Sequence, residues 1–295
     1  MRLSQFSRRA AAQPWCGAIV DGDTVIDLPA AGDAAGVDIP RTLSDLLDRW
    51  HWAEKVSMAV TYATEHGTAR ADLDDLVRHA PVTDPGKVVC VGLNYEDHAR
   101  EGDHSIPDEP VLFSKFPTAI TGPGAEITWD PTYTEQVDYE AELVVVVGRE
   151  ARDVSVDDTW KYVAGVTVGN DVSARDLQHG DGQWVRGKSL DTFAPIGPAL
   201  VTLDDVDDPH DLDIWTELDG ERLQDSNTEN FIFGLDELVA FCSRAFTLEP
   251  GDLIFTGTPP GVGVYREPPV LLDDGDRVTV GIEGVGELTN VCRHR

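Results

Sequence analysis

The chain predicts an α+β protein, mostly β, with a small N-terminal α+β domain over residues 1–80 and a larger strand-rich domain over residues 81–295. Three observations predict it. Leu143-Val144-Val145-Val146-Val147 is a β-branched block that reads as a buried strand. Asp-Gly pairs at Asp21-Gly22 and Asp219-Gly220 sit between short apolar runs, the signature of tight hairpins. Pro81 to Lys87, a linker with two prolines, divides a first unit without chemistry from the rest. At 295 residues the chain is long enough to bury a large core.

In the first unit, Gly17-Ala18-Ile19-Val20 and Thr24-Val25-Ile26-Asp27-Leu28 form the arms of a hairpin, followed by two acidic amphipathic helices over Thr42–Trp50 and Ala71–Val77. Trp50, His51 and Trp52 read as packing residues rather than ligands. Beyond the linker, Val88–Gly92 is a buried strand that empties into Leu93–Glu101. His98 and Glu101 are three apart, so one helical turn puts them on one side, where a carboxylate orients a histidine and raises its basicity. A solvated helix with an incidental histidine fits the same pattern. Gly102–Glu109 is polar and contains proline, as expected of a mobile cover over a site. Pro110–Phe116 is a further strand, carrying Lys115 near its end.

Val137–Gln178 places carboxylates where an apolar sheet should have none. Glu140 and Glu142 flank Ala141 on a strand, so they share a face about 7 Å apart. Like charges that close, half out of water, are costly unless a cation lies between them. Ser155 opens a helical segment over Val156–Tyr162, and the strand Gly165–Val168 stops at Asn170-Asp171, which supplies a third carboxylate. Three oxygen ligands with room for water suit Mg²⁺ or Mn²⁺, whereas zinc would want His or Cys. The spacing also fits two glutamates pointing outward on an edge strand. Further on, Lys188 lies in a loop between Gly187 and Ser189. The upstream glycine of a phosphate loop is missing there, so the lysine is free to polarise a substrate carbonyl beside a metal. A hairpin over Ile214–Leu223, a helix over Leu235–Arg244 and a strand from Leu253 into a Gly/Pro loop complete the chain.

The 54 acids against 23 bases leave a net charge of −31, and only five bases are lysine. An acid-coated, lysine-poor surface is the composition of a protein kept soluble in concentrated salt, which predicts a halophilic source. It excludes nucleic acid, whose phosphates need a basic face. Lys115 and Lys188 stand out because so few lysines remain. No apolar run is long enough to span a membrane, and Met1–Ala12, with Arg8-Arg9, lacks the apolar segment of a signal, so the expected location is the cytoplasm. Cys16, Cys90, Cys242 and Cys292 are scattered and read as reduced thiols.

In order, the segments GLNYxDH, a strand ending in lysine, DYExEL, NDVSARDxQ, GKSxDTFxPxGP and PGDxIxTGTPPGVG resemble the fumarylacetoacetate hydrolase family over roughly residues 85 to 290. The resemblance implies a mixed β-sandwich roll and a homodimer. It implies Mg²⁺ or Mn²⁺ on Glu140, Glu142 and Asp171, a catalytic His98–Glu101 pair, and Lys188 as the carbonyl-polarising lysine. Substrate contacts would come from Arg175, Gln178, Lys115 and Thr258. The chain lacks the additional upstream metal-binding aspartate of fumarylacetoacetases proper, which favours the shorter acylpyruvase-like or sugar-acid branch.

The activity expected first is therefore hydrolysis of a carbon-carbon bond in a 2,4-dioxo acid, with His98 activating water and a 2-keto acid such as pyruvate released. The same metal and enolate chemistry also serves an isomerase or decarboxylase of 2-hydroxydienoates or oxaloacetate, or a 2-keto-3-deoxy sugar acid dehydratase. A non-catalytic protein stabilised by its ion is the third expectation; such a protein would have no use for His98, Glu101 and Lys188 together.

Overall fold

The computed structural model describes residues 1–8, 13–103 and 105–295; Arg9 to Ala12 and His104, which fall in two of the segments read above, lie outside the described residues. Strands β1 (Arg2–Arg8), β2 (Trp15–Val20) and β3 (Thr24–Asp27) precede helices α1 (Leu28–Ala35), α2 (Leu43–Leu47) and α3 (Trp52–His66), then β4 (Arg70–Asp72) and β5 (Leu76–His79). Next come β6 (Val88–Gly92), α4 (Glu96–Glu101), β7 (Val111–Lys115), β8 (Ile120–Thr121), β9 (Glu126–Trp129), β10 (Val137–Asp138) and β11 (Ala141–Val147). The chain continues through β12 (Val163–Asn170), β13 (Ser173–Ala174), α5 (Arg175–Asp181), α6 (Val185–Lys188) and β14 (Ala194–Thr202). It ends with β15 (Asp213–Leu218), β16 (Glu221–Asn227), α7 (Leu235–Ala245), β17 (Leu253–Phe255), β18 (Arg277–Ile282) and β19 (Gly286–His294).

The large sheet runs β4-β3-β2-β1-β14-β12-β11-β17-β6-β7, with β5 added on β1 and β8 on β14. A second sheet runs β16-β15-β18-β19-β9. Hydrogen bonds between β1 and β14 continue the large sheet from the first 80 residues into the rest. β11 is buried on both faces, which is why it reads as an unbroken valine run rather than an alternation. Val144 and Val146 join α1, α2 and α3 in one core, while Leu143, Val145 and Val147 meet β15, β18 and α7 in another. The two Asp-Gly turns form as the sequence predicts, with Asp21, Gly22, Asp219 and Gly220 all at positive φ. The fold is thus the strand-rich α+β architecture expected. All four cysteines are free and buried. Among the described residues, no helix is long and apolar enough to cross a membrane.

One local expectation is corrected, and one helix was not anticipated. Ala71–Val77 is not a helix: β4, a 3-10 turn over Leu73–Asp75 and the start of β5 occupy it. Leu73 and Leu76 sit at helical spacing, but they belong to a small cluster with Phe6, Trp15 and Val25 on the first sheet strands, and that packing outweighs the local pattern. The longest helix, α3, buries only Val56, Ala59 and Ala63, too small a stripe to announce itself.

Candidate active site

The site forms where two antiparallel chains leave the large sheet together. β11 pairs with β12 from Ala141↔Asn170 onward, while the preceding β10 pairs with β13 in a separate ribbon. Tyr139-Glu140 and Asp171-Val172 are the two breaks. The exposed backbone is satisfied locally: Asp171 N–H donates to Glu140 C=O (2.9 Å), and Glu140 N–H to Asn170 Oδ1 (3.0 Å). Carboxylates therefore converge inside the protein without breaking hydrogen-bond satisfaction.

Glu140, Glu142 and Asp171 each present an oxygen within 4.8 Å of the others, and all three residues are buried. The outward-facing alternative for the glutamates is thereby removed. Lys188 Nζ donates to Glu140 Oε2 (2.7 Å) and Asp171 Oδ2 (2.9 Å). Lys115 Nζ pairs with Asp171 Oδ1 and reaches Val172 C=O at 3.0 Å. Arg175 joins the cluster through Nη1, 2.7 Å from Glu140 Oε1. Lys188 ends the short helix α6 rather than lying in a loop, and its ammonium sits 5.2 Å from the centre of the Phe113 ring.

These neighbours divide the carboxyls electrostatically. Burial pushes Glu140 up, but Lys188 and Arg175, with a smaller contribution from His98, outweigh it and hold the group down at about 2. Burial raises Glu142 well above the carboxylate range, reinforced by Asp171 and Glu140. Glu142 has no ion pair among the described residues, only the Gly257 N–H at 2.8 Å. Burial lowers Lys115, with Lys188 adding to that and Asp171 opposing it, whereas in Lys188 the pull of Asp171 and Glu140 wins over burial and the group is raised. A divalent cation fits this arrangement: every donor is a hard carboxylate oxygen, and one of them lacks a compensating charge.

His98 and Glu101 meet on α4, with Nδ1 2.9 Å from Oε2. The other Glu101 oxygen accepts from Gly261 N–H at 2.9 Å, which ties the dyad to the Gly/Pro loop after β17. Gln178 Oε1 accepts from Arg175 Nη1 (3.1 Å), and Thr258 Oγ1 accepts from Gln224 Nε2 (2.9 Å). Gln178 is thus linked to Glu140 through Arg175, and Thr258 to the Ala141 backbone through Gln224, whereas His98 and Glu101 make no direct bond to the three carboxylates among the described residues.

Three residues passed over in the sequence organise it. Asp138, fully buried, accepts from Arg175 Nε (2.9 Å), Gly263 N–H (2.8 Å) and Val264 N–H (3.0 Å), with Arg175 Nη2 at 2.8 Å. It stands two before Glu140, so the alternation Asp138, Glu140, Glu142 was the available signal. Asn94 fastens α4's approach by bonding Phe233 N–H and C=O and Thr256 C=O. Gln224 carries no such signal, since it sits in an ordinary hairpin strand.

The fumarylacetoacetate (FAA) hydrolase C-terminal family profile matches residues 87–293. The chain is 44% identical over 293 residues to the mitochondrial oxaloacetate tautomerase FAHD2B of Bos taurus, covering 98% of this chain and 91% of that one. A fumarylacetoacetate hydrolase from Exiguobacterium antarcticum superposes with a TM-score of 0.84 at 35% identity, covering 100% of both chains. A 5-carboxymethyl-2-hydroxymuconate delta-isomerase from Mycobacterium smegmatis gives a TM-score of 0.77 at 34% identity, covering 100% of this chain and 99% of that one. The match in sequence and fold leads to one conclusion: the chain is an enzyme of the fumarylacetoacetate hydrolase family.

Proposed function

We propose that the enzyme interconverts the enol and keto forms of oxaloacetate, or of a 2-keto acid of the same shape, with Mg²⁺ or Mn²⁺ held by Glu140, Glu142 and Asp171. The observation that carries this reading is that the His98–Glu101 pair lies near enough for His98 to act electrostatically on Glu140, a member of the buried cluster in which Lys188 bridges two carboxylates. Tautomerisation moves a proton between C3 and the 2-oxygen. It needs a group that takes or returns the proton at C3, a cationic environment for charge that develops on the 2-oxygen, and a proton exchanged with solvent at that oxygen. His98, held by Glu101, serves as the proton acceptor. Lys188 supplies a fixed positive charge for the 2-oxygen, and Arg175 with Gln178 orients a substrate carboxylate. A divalent ion, when bound, would add Lewis-acid stabilisation of that same negative charge.

The first expectation, cleavage of a carbon-carbon bond by water, uses the same residues with His98 acting on water. Of the three relatives one is a hydrolase, but the tautomerase, at 44% identity, and the isomerase favour proton transfer at carbon over attack by water. The deciding experiment follows the enol absorbance of oxaloacetate with Mg²⁺ and with Mn²⁺, alongside pyruvate release from an acylpyruvate. Acceleration of the first that disappears in His98→Ala is expected. Pyruvate release from the acylpyruvate without any effect on oxaloacetate would reinstate the hydrolase.

A further inference from the structure

We infer that Gln224 is a positioning residue that turns the Thr258 hydroxyl into a hydrogen-bond donor for a substrate oxygen, so that the site selects ligands offering an acceptor there. The inference rests on the proposed reading of the site. Gln224 is fully buried and all four of its side-chain hydrogen-bonding positions are used. Its Oε1 accepts from Ala141 N–H (2.9 Å) and from Thr216 Oγ1 (2.6 Å), while Nε2 donates to Pro259 C=O (2.8 Å) and to Thr258 Oγ1 (2.9 Å). A backbone N–H can only donate and a backbone C=O can only accept, so Ala141 and Pro259 fix which end of the amide is which. A flipped amide would set two donors against each other at Ala141 and two acceptors at Pro259.

The consequence falls on Thr258. One lone pair of its hydroxyl is committed to Gln224, and no acceptor for its own proton is present among the described residues. The hydroxyl is nearly buried, and its neighbour Gly257 donates its N–H to Glu142. Ala141, the other anchor of Gln224, lies between Glu140 and Glu142 in sequence. The free proton is therefore held beside the carboxylate cluster, where a carboxylate or carbonyl oxygen of a keto acid completes it. An ammonium group in the same place has no acceptor to offer and would leave the Thr258 proton unpaired.

Binding of oxalate, an unreactive dicarboxylate, in the presence of Mg²⁺ tests this by calorimetry. Thr258→Val keeps the shape and loses the donor; it should weaken oxalate by about 10- to 100-fold, the range for a hydrogen bond to a charged group. Thr258→Ser should restore it. Gln224→Glu keeps an acceptor for Ala141 but offers Thr258 a carboxylate to donate to, so the hydroxyl reverses and the loss should equal that of Thr258→Val. The double variant should be no worse than either single one. Wild-type affinity in Thr258→Val, or losses that multiply in the double variant, overturns the inference. If Gln224→Glu does not fold, the Val and Ser pair at Thr258 still decides the donor. An enzyme inert towards oxaloacetate whose oxalate binding nevertheless depends on Thr258 would overturn the reaction and leave the donor assignment standing.

Discussion

The ammonium of Lys188 lies 2.7 Å from Glu140 Oε2 and 2.9 Å from Asp171 Oδ2, so one buried cation holds two of the three clustered carboxylates together. Without Lys188, among the described residues Glu140 keeps only Arg175 and Asp171 only Lys115, and the buried carboxylates lose one compensating charge, at a cost of up to about 3–5 kcal/mol. Lys188→Met should therefore lower the melting temperature of metal-free protein sharply. A divalent ion compensates the same carboxylates, so Mg²⁺ should raise the melting temperature more in this variant than in the parent. Equal Mg²⁺-induced shifts in the two proteins would mean that the ion binds elsewhere.

His98 and Glu101 make a different prediction, because neither belongs to the carboxylate cluster. His98→Ala should lower kcat by about 10²- to 10⁴-fold while leaving the Mg²⁺-induced thermal shift as it is. Glu101→Gln keeps an oxygen for Gly261 N–H but turns an amide donor toward His98 Nδ1 and removes the charge that raises its basicity. The imidazole stays in place, so the loss should be smaller than in His98→Ala. A variant pair that lost metal-induced stabilisation along with activity would show that the dyad supports the ion rather than the proton transfer.

Much of this site was legible before any coordinates. The two glutamates at strand spacing, the aspartate at the next strand's end and the lysine after Gly187 all end up bonded or within ligand distance of one another. They were legible because burying charge violates the hydrophobic pattern, and such violations concentrate at functional sites. Gln224 was silent for the opposite reason: a polar residue in a hairpin breaks no pattern, and only the fold shows that its amide is enclosed. Helix α3 was missed because alanines and one valine make up its buried stripe, and Ala71–Val77 was misread because two leucines at helical spacing serve equally well at the ends of short strands.

Asp138 gathers Arg175 and the backbone of Gly263 and Val264 onto one carboxylate. Asp138→Asn keeps the shape but removes the charge opposing Arg175 and turns one oxygen into a donor facing another donor. A stability loss of about 3–5 kcal/mol is expected from the broken buried pair, measured by urea denaturation. Because Arg175 also contacts Glu140 at 2.7 Å, KM for the substrate should rise as well. A variant as stable as the parent would show that Glu140 alone suffices to hold the guanidinium.

His79 lies far in sequence from this chemistry, on β5, where its Nε2 is 2.8 Å from Ser7 Oγ. Burial lowers its pKa below the ordinary 6.5. Above that value the ring is neutral in both folded and unfolded chains and contributes no pH dependence. As pH falls through about 6.5 the unfolded chain takes up a proton that the folded chain refuses, so the unfolded state gains and stability declines. Urea midpoints measured from pH 7.5 to pH 5 should fall in the parent and fall less steeply in His79→Gln, which retains a hydrogen-bonding partner for Ser7. Parallel curves for the two proteins would assign the acid sensitivity to other groups.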